Sequence, residues 1–499
     1  MQATARRERL WWAAVGAIAL AGLAVRILAA RGGLWTDEAW SVIYAAQARD
    51  AVGVFLRINH DNNHHLNSLW LQAIGPTASP LLARAPAILA GSLCTVAAAV
   101  LVGRRSPPAG VVAALLFAFT PTLVVFGSEA RGYASMLLAA LVMLILVSDA
   151  LEGQPARWRP WALAGDALFG MLSHMTMAAP VSIATLWFYL ERRRQAGPQR
   201  ALGDSIRLMG GALAATVGVI AFVFTAAALS PTGMRLGGYL PFSGRDYVVA
   251  LDDLALWSAG FAAPLPWLVP LLACAIAVVI AVRRPEWLGP RALLYALLIL
   301  AVPLGALVIR AGNSGFARYY LASVIGVLLL ASEWIARGLA GRPPVRTAAA
   351  LLLVTAMGVA AYGDSELIQL QRGMPARPVS DMAVVSPAGA RLALDQPRFE
   401  SVVTVAALRR GYAVHFAGGC APADFLLAAQ SRWTPTPVTV ERCGVQLKAI
   451  DSSVTIPLTG ESWVLYKRES LQRLEGADSG PAPGANQSRL SGRAGVAQG

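Results

Sequence analysis

Charge is scarce in this 499-residue chain, and lysine is nearly absent. Only 14% of residues are Asp, Glu, Lys or Arg against 56% apolar, and Lys448 and Lys467 are the only lysines. So little charge cannot solvate a globule of this length, which excludes a water-soluble enzyme. The formal net charge of +14 is therefore almost wholly arginine. Those arginines sit in short clusters between apolar blocks, the pattern of topology signals rather than of a polyanion-binding face, so no nucleic-acid partner is expected. Cysteine is also sparse. Cys94 and Cys274 fall in apolar blocks, Cys420 and Cys443 in a polar C-terminal stretch, and neither pair has metal-ligand spacing. For the second pair a disulfide and two free thiols both stand. No solenoid-type repeat is visible.

What is abundant is apolar sequence in blocks of about 20 residues, the length that crosses a hydrocarbon layer. The blocks predict spans near 10–30, 81–103, 109–126, 130–150, 158–173, 175–190, 207–229, 262–282, 292–310, 319–339 and 346–362, about eleven in all. Two short helices meeting near His174 are needed to fill 158–190. The first block has a basic flank, Arg6, Arg7 and Arg9, and no clear small-residue cleavage site, and reads as a retained span. Arginine clusters at the N-terminus, at 104–105, 157/159, 192–194, 283–284 and 337/342/346 fall in alternate loops, placing the N-terminus in the cytoplasm and the C-terminal segment outside. The fold class expected is a polytopic α-helical membrane protein, in three parts. Residues 1–362 form the membrane domain, 363–470 a small extracytoplasmic α/β domain with β-like runs at 401–406, 438–440 and 463–466, and 471–499 a disordered tail. Loop 32–80 carries amphipathic stretches, 35–55 and 66–74, of the kind that lie in the interface, and 230–260 is similar.

Polar groups beside spans are the informative residues, because a charge at membrane depth is costly unless paired or facing water. Trp35-Thr36-Asp37-Glu38-Ala39-Trp40, His60-Asp61-Asn62-Asn63-His64-His65, Ser128-Glu129-Ala130-Arg131-Gly132-Tyr133, His174 and Arg318-Tyr319-Tyr320 all fall on the outer face. Carboxylates, imidazoles and guanidiniums there resemble the parts needed by a base acting on a hydroxyl beside an anionic leaving group. Structural readings stand beside the functional ones. Asp37 and Glu38 fit a helix first turn capped by Thr36, and both roles can coexist. Glu129 and Arg131 fit a structural ion pair, and Arg318 a side chain that snorkels to headgroups. Arg26, Arg84, Asp166 and Glu333 read as packing or topology features, Arg84 being the strongest of them for function. Met175 and Met177 read as helix filler.

The ordered strings Gly33-Leu34-Trp35-Thr36-Asp37-Glu38-Ala39-Trp40, Asn62-Asn63-His64-His65-Leu66, Arg84-Ala85-Pro86-Ala87 with Ala90-Gly91, Ser128 to Tyr133, and Arg318-Tyr319 resemble the signature of GT-C membrane glycosyltransferases. The group they are most similar to is the one around glycosyltransferase family 39, with the protein O-mannosyltransferases and the lipid A aminoarabinose transferase. The resemblance covers roughly the first 320 residues. It implies a GT-C fold and an inverting transfer of a hexosyl or pentosyl unit from a polyprenyl-phosphate donor to an extracytoplasmic hydroxyl of a glycan, lipid or protein. It implies Asp37 as general base or acceptor-orienting group, Glu38 as its support, and Glu129 as the acid of the second loop. Arg131 and Arg318, with Tyr319, His64 and His65, would bind donor phosphate. The chain departs from the pattern at Asn63-His64-His65-Leu66, where many relatives have a His, Glu or Lys followed by paired prolines. His64 thus stands between phosphate contact and, with Asp37 and Glu129, ligand of a divalent metal ion. A bacterial inner membrane is the expected location; a transporter or flippase of lipid-linked sugars is the alternative, though it would favour midplane charges and internal repeats.

Overall fold

The structure, a computed structural model, describes residues 2–154, 156–231, 233–235, 239–258, 279, 291–432, 434–456 and 458–469. The expected span 262–282, with Cys274, and the tail 471–499 lie outside the described residues. Among the described residues seven helices are long and apolar enough to cross a membrane: Ala5–Ala29, Pro80–Gly103, Tyr133–Leu151, Pro198–Leu229, Arg291–Val308, Ala317–Leu339 and Pro343–Gly373. The chain is a multi-pass membrane protein. Three other expected spans differ for local reasons. The block at 109–126 is two helices, α6 (Pro107–Phe119) and α7 (Pro121–Phe126), because Thr120 before a proline is held extended at φ −63°, ψ 121°. The block at 158–173 is α9 (Arg159–Ser173), only 15 residues long. The block at 175–190 is a 3-10 turn, Met175–Met177, and α10 (Ala178–Ala196), which ends in Glu191 to Arg194. The break at His174 is an extended residue, φ −162° and ψ 132°.

Ion pairs and caps mark the two ends of the bundle. At one end Trp11 in α1 (Gln2–Ala29) donates to Pro107 O, and Arg105, just past α5 (Pro80–Gly103), pairs with Glu152, just past α8 (Tyr133–Leu151). Arg104 pairs with Asp149 there as well. At the other end the start of α5 is bonded to the residues after α1, through Arg84. The sequence motifs gather at this second end.

The first long loop, between α1 and α5, is helical. α2 (Thr36–Gln47), α3 (Ala51–Leu56) and α4 (His65–Ile74) pack together, with Leu34, Ala39, Val42, Ala45 and Leu71 forming a small core against Ala83 and Ala130. The second outer loop is clipped to the first, where Arg235 N donates to Asn59 O (2.8 Å) and Asp61 N to Arg235 O (3.0 Å). α12 (Gly244–Ser258) follows it.

The last membrane helix runs to Leu370, past the boundary drawn at 362, and leads into a soluble α/β domain. Its six-stranded sheet has the order β2-β1-β3-β6-β5-β4. β1 (Ala390–Leu394) is parallel to β2 (Val414–Phe416) and β3 (Phe425–Ala429); β3, β6 (Trp463–Arg468), β5 (Val445–Ser453) and β4 (Thr439–Arg442) pair antiparallel. One expected strand is corrected: 401–406 lies inside the helix Phe399–Arg410. Its β-branched residues hide a helical period. Phe399, Val403 and Ala407 face the sheet, while Val402 and Val405 face the core of the first loop. One helix therefore joins the soluble domain to α2. Cys420 and Cys443 are disulfide-bonded, which decides between the two readings of that pair.

Candidate active site

α2 begins directly after the first span, and its first turn holds both acids of the Asp-Glu motif. The cap is Trp35, not Thr36, and Thr36 Oγ1 instead donates to Glu461 Oε1 (3.0 Å). Neighbouring residues on a helix point about 100° apart, so the two acids part company.

Glu38 turns inward and is fully buried. Its Oε1 accepts from Arg84 Nε (2.8 Å) and Ala130 N (2.6 Å), its Oε2 from Arg84 Nη2 (2.5 Å) and Trp35 N (3.2 Å). Burial by itself would raise this carboxyl; the charge and bonds of Arg84, then Arg372 and the Ala130 N–H, outweigh burial and hold it below its ordinary value. Arg84 also donates to Ala30 O (2.8 Å) and Gly33 O (2.7 Å). The pair thus ties the end of α1, the start of α5 and the 128–133 segment together.

Asp37 turns outward, and its side chain keeps 24% exposure. Its Oδ2 accepts from Arg131 Nη1 (2.5 Å) and from Arg318 Nη1 (2.9 Å). Arg131 is steered by Asn62 Oδ1 (2.7 Å) and by the Tyr133 ring, 5.0 Å from its Cζ. Arg318 lies over Phe316 at 4.5 Å and Tyr319 at 5.8 Å. The Nε atoms of both arginines are buried without a hydrogen-bond partner among the described residues.

His64 completes the cluster. Gly132 N donates to its Nδ1 (3.1 Å), so the neutral ring carries its proton on Nε2. Burial, then His174, Arg131, Arg318 and His65, hold it neutral, well below the ordinary histidine value. Its Nε2 and Arg131 Nη2, 3.3 Å apart, are consequently both donors. Facing donors of this kind suit an anionic acceptor between or beside them. His174, edge-on to His64 with centroids 4.6 Å apart, is likewise pushed down, to about 3, first by burial and then by the two arginines.

Two other expected site residues lie elsewhere. His65 stacks on Phe55 with centroids 5.1 Å apart, and burial lowers it to about 4. Glu129 is fully buried beneath the soluble domain: Thr459 Oγ1 donates to its Oε1 (2.5 Å), and Arg372 Nε lies 3.9 Å from the same oxygen. Arg372 in turn donates to Ala29 O (2.5 Å), Ser128 O (2.9 Å) and Ser128 Oγ (2.7 Å).

No family model matches the chain, and no curated protein matches it. Solved structures do, two of them of ArnT from Cupriavidus metallidurans. The one bound to undecaprenyl phosphate aligns at 15% identity and a TM-score of 0.51, covering 91% of this chain and 97% of that one. The apo state aligns at 13% and 0.51, covering 92% and 98%. The chain shares the fold of these ArnT structures. An oligosaccharyltransferase structure from Archaeoglobus fulgidus aligns at 12% identity and a TM-score of 0.46, over 80% of this chain and 63% of that one.

Within this fold the expected metal set does not fit. Asp37 is clamped by two arginines, Glu129 is held by Thr459, and His64 already spends Nδ1 on Gly132. Among the described residues no group of three or more His, Cys, Asp or Glu side chains could hold an ion. Residues the sequence did not single out complete the site. Asn62 was inside a quoted string, and its amide also donates to Asp37 O (3.0 Å). Arg372, Thr459 and Glu461 carried no signal, because they come from a membrane-helix terminus and a loop of the soluble domain.

That loop, between β5 and β6, is seated by two glycines. Gly373 and Gly460 both have φ +82°, and a Cβ on either would collide with backbone, of Glu461 and Arg372 respectively. Gly460→Ala is expected to loosen the domain from the bundle and lower stability by about 1–3 kcal/mol. Limited proteolysis of purified protein measures it, and an unchanged cleavage pattern would count against the interlock.

Glu129 gives a pH signature. Burial, opposed by Arg372, raises its carboxyl to about 7 from an ordinary 4.5. Between those values the folded protein holds a proton that the unfolded chain has lost. The stabilisation is therefore full below pH 4.5 and is lost as pH rises through about 7. Glu129→Gln should flatten this dependence, so the gap in thermal midpoint between variant and wild type changes from about pH 5 to about pH 8. Parallel midpoint curves would refute the assignment.

Proposed function

We propose that this chain transfers a sugar from a polyprenyl-phosphate donor to a hydroxyl acceptor outside the cytoplasm, with inversion. The observation that carries the reading is the cluster at one end of the bundle, where Asp37 alone among the three motif acids is open and two guanidiniums with a neutral imidazole N–H surround it. A departing polyprenyl phosphate needs such donors where its charge accumulates, and arginine offers a planar fork to phosphate oxygens.

In the resting protein Arg131 and Arg318 are satisfied by Asp37. A donor phosphate competes for those N–H groups, with His64 Nε2–H and the unpartnered Nε–H atoms as further donors. Each bond it takes frees a lone pair on Asp37. The carboxylate then accepts the acceptor's hydroxyl proton as the oxygen bonds to the anomeric carbon and the carbon–phosphate-oxygen bond breaks, the electron pair leaving on the phosphate. Glu38 and Glu129, each engaged elsewhere, leave one carboxylate at the reacting centre, which suits a single displacement; double displacement uses two about 5 Å apart. Glu38 is a positioning residue in this scheme. The cytoplasmic N-terminus and extracytoplasmic soluble domain follow from the arginine clusters, which favour the cytoplasmic end, and from a disulfide in the domain at the opposite end. A bacterial plasma membrane is the proposed location.

The test is release of polyprenyl phosphate and of glycosylated acceptor by purified protein in nanodiscs supplied with labelled polyprenyl-phosphate sugars. Movement of the donor across vesicles with no bond cleaved would replace the transferase with a flippase.

A further inference from the structure

A second feature of the outer face lies away from Asp37. Where the soluble domain meets the bundle there is a cavity of ≈ 400 Å³, within the range of ordinary ligand sites. Its walls are Leu34 of the first loop, Val379 of the helix Arg377–Val385, and Val402, Val405, Arg409 and Arg410 of the helix Phe399–Arg410. Pro80, the first residue of a membrane helix, also lines it, which puts the cavity against the end of a span. The next two residues of that helix, Leu81 and Leu82, are 45% and 43% exposed, the start of an apolar surface on the outside of α5.

The polar content of the cavity is cationic. None of the residues lining it is acidic. Arg409 is fixed by a bond from Nε to Pro76 O (3.2 Å), and its Nη2 is buried with no partner among the described residues. Among the described residues Arg410 makes only a 3.5 Å contact, to Ser380 Oγ. An unpaired guanidinium N–H in a largely apolar wall is costly unless an anion meets it.

We propose that this junction binds a net-anionic membrane lipid with a free phosphomonoester headgroup: the headgroup lies between Arg409 and Arg410, and the adjoining apolar part lies against Val379, Val402 and Val405 before its chains leave along Leu81 and Leu82. A free phosphate would satisfy the arginines but leave the apolar wall bare, so the lipid is the occupant favoured. The site shares no residue with the Asp37 cluster, and lipid binding here stands or falls independently of sugar transfer.

The experiment uses the full chain in phosphatidylcholine nanodiscs carrying a small fraction of diazirine-bearing phosphatidic acid, with crosslinked peptides mapped by mass spectrometry. Label on residues 377–410 is expected, with about a tenfold loss in the R409Q/R410Q double variant, as two charge-assisted contacts disappear. Ala406→Phe, which fills the cavity and keeps both charges, should give the same loss and covers the case in which the arginine variant fails to fold. Equal labelling by a diazirine-bearing phosphatidylcholine, label confined to the membrane helices, unchanged label in A406F, or competition by inorganic phosphate as effective as by unlabelled phosphatidic acid would each overturn the proposal.

Discussion

Asp37→Asn is expected to lower kcat for sugar transfer by about 10²–10⁴-fold, the range for loss of a positioned base, without raising KM for the donor. The split follows from the clamp. The carboxylate that would accept the proton is also the group that occupies Arg131 and Arg318, so its neutral isostere surrenders the base but leaves both guanidiniums freer for phosphate. Folding should survive, at a cost of about 1 kcal/mol, because Asp37 is partly exposed and Arg131 keeps its bond to Asn62. Arg318→Ala should instead raise KM for the donor and lower kcat as well, because that guanidinium meets both the bound and the departing phosphate. Steady-state kinetics on variants of matched thermal stability separate these outcomes. Turnover at the wild-type rate in Asp37→Asn would end the proposed mechanism.

Arg84→Ala should have the largest effect on stability, about 3–5 kcal/mol, the usual cost of stranding one partner of a buried ion pair. Both side chains are wholly buried; the two Glu38 oxygens each lose one of their two donors, and the carbonyls of Ala30 and Gly33 lose the guanidinium as well. Lysine should not rescue, since one ammonium cannot reproduce a fork that reaches partners on both sides. The double variant Arg84→Met/Glu38→Gln should be milder than Arg84→Ala, because it buries no lone charge. Thermal unfolding of detergent-solubilised protein reads all three, and a single variant as stable as wild type would show that the pair does not hold the outer end together.

Much of the site was legible because each motif is local and lies next to a span. Asp37, Arg131 and Arg318 were all named from their strings, and the structure brings them together although Arg131 and Arg318 lie 94 and 281 residues from Asp37. What the strings could not show is which motif acid stays open. Asp37 and Glu38 are adjacent and chemically alike, and only the position of Arg84, Ala130 and Trp35 separates them. Glu129 resembled a site acid for the same reason, until Thr459 and Arg372 were placed over it. The 401–406 run reads as a strand from its β-branched composition, and its helical period shows only when both packing partners are known.

Hydropathy is a sum over neighbours in the chain, so the membrane class, most helix positions and the face on which the polar motifs lie were set by sequence alone. Burial and ion pairing are sums over neighbours in space. They decided which carboxylate meets solvent, which is sealed, how a loop between β5 and β6 comes to press on the 128–133 segment, and where two arginines of a soluble helix meet the end of a membrane span.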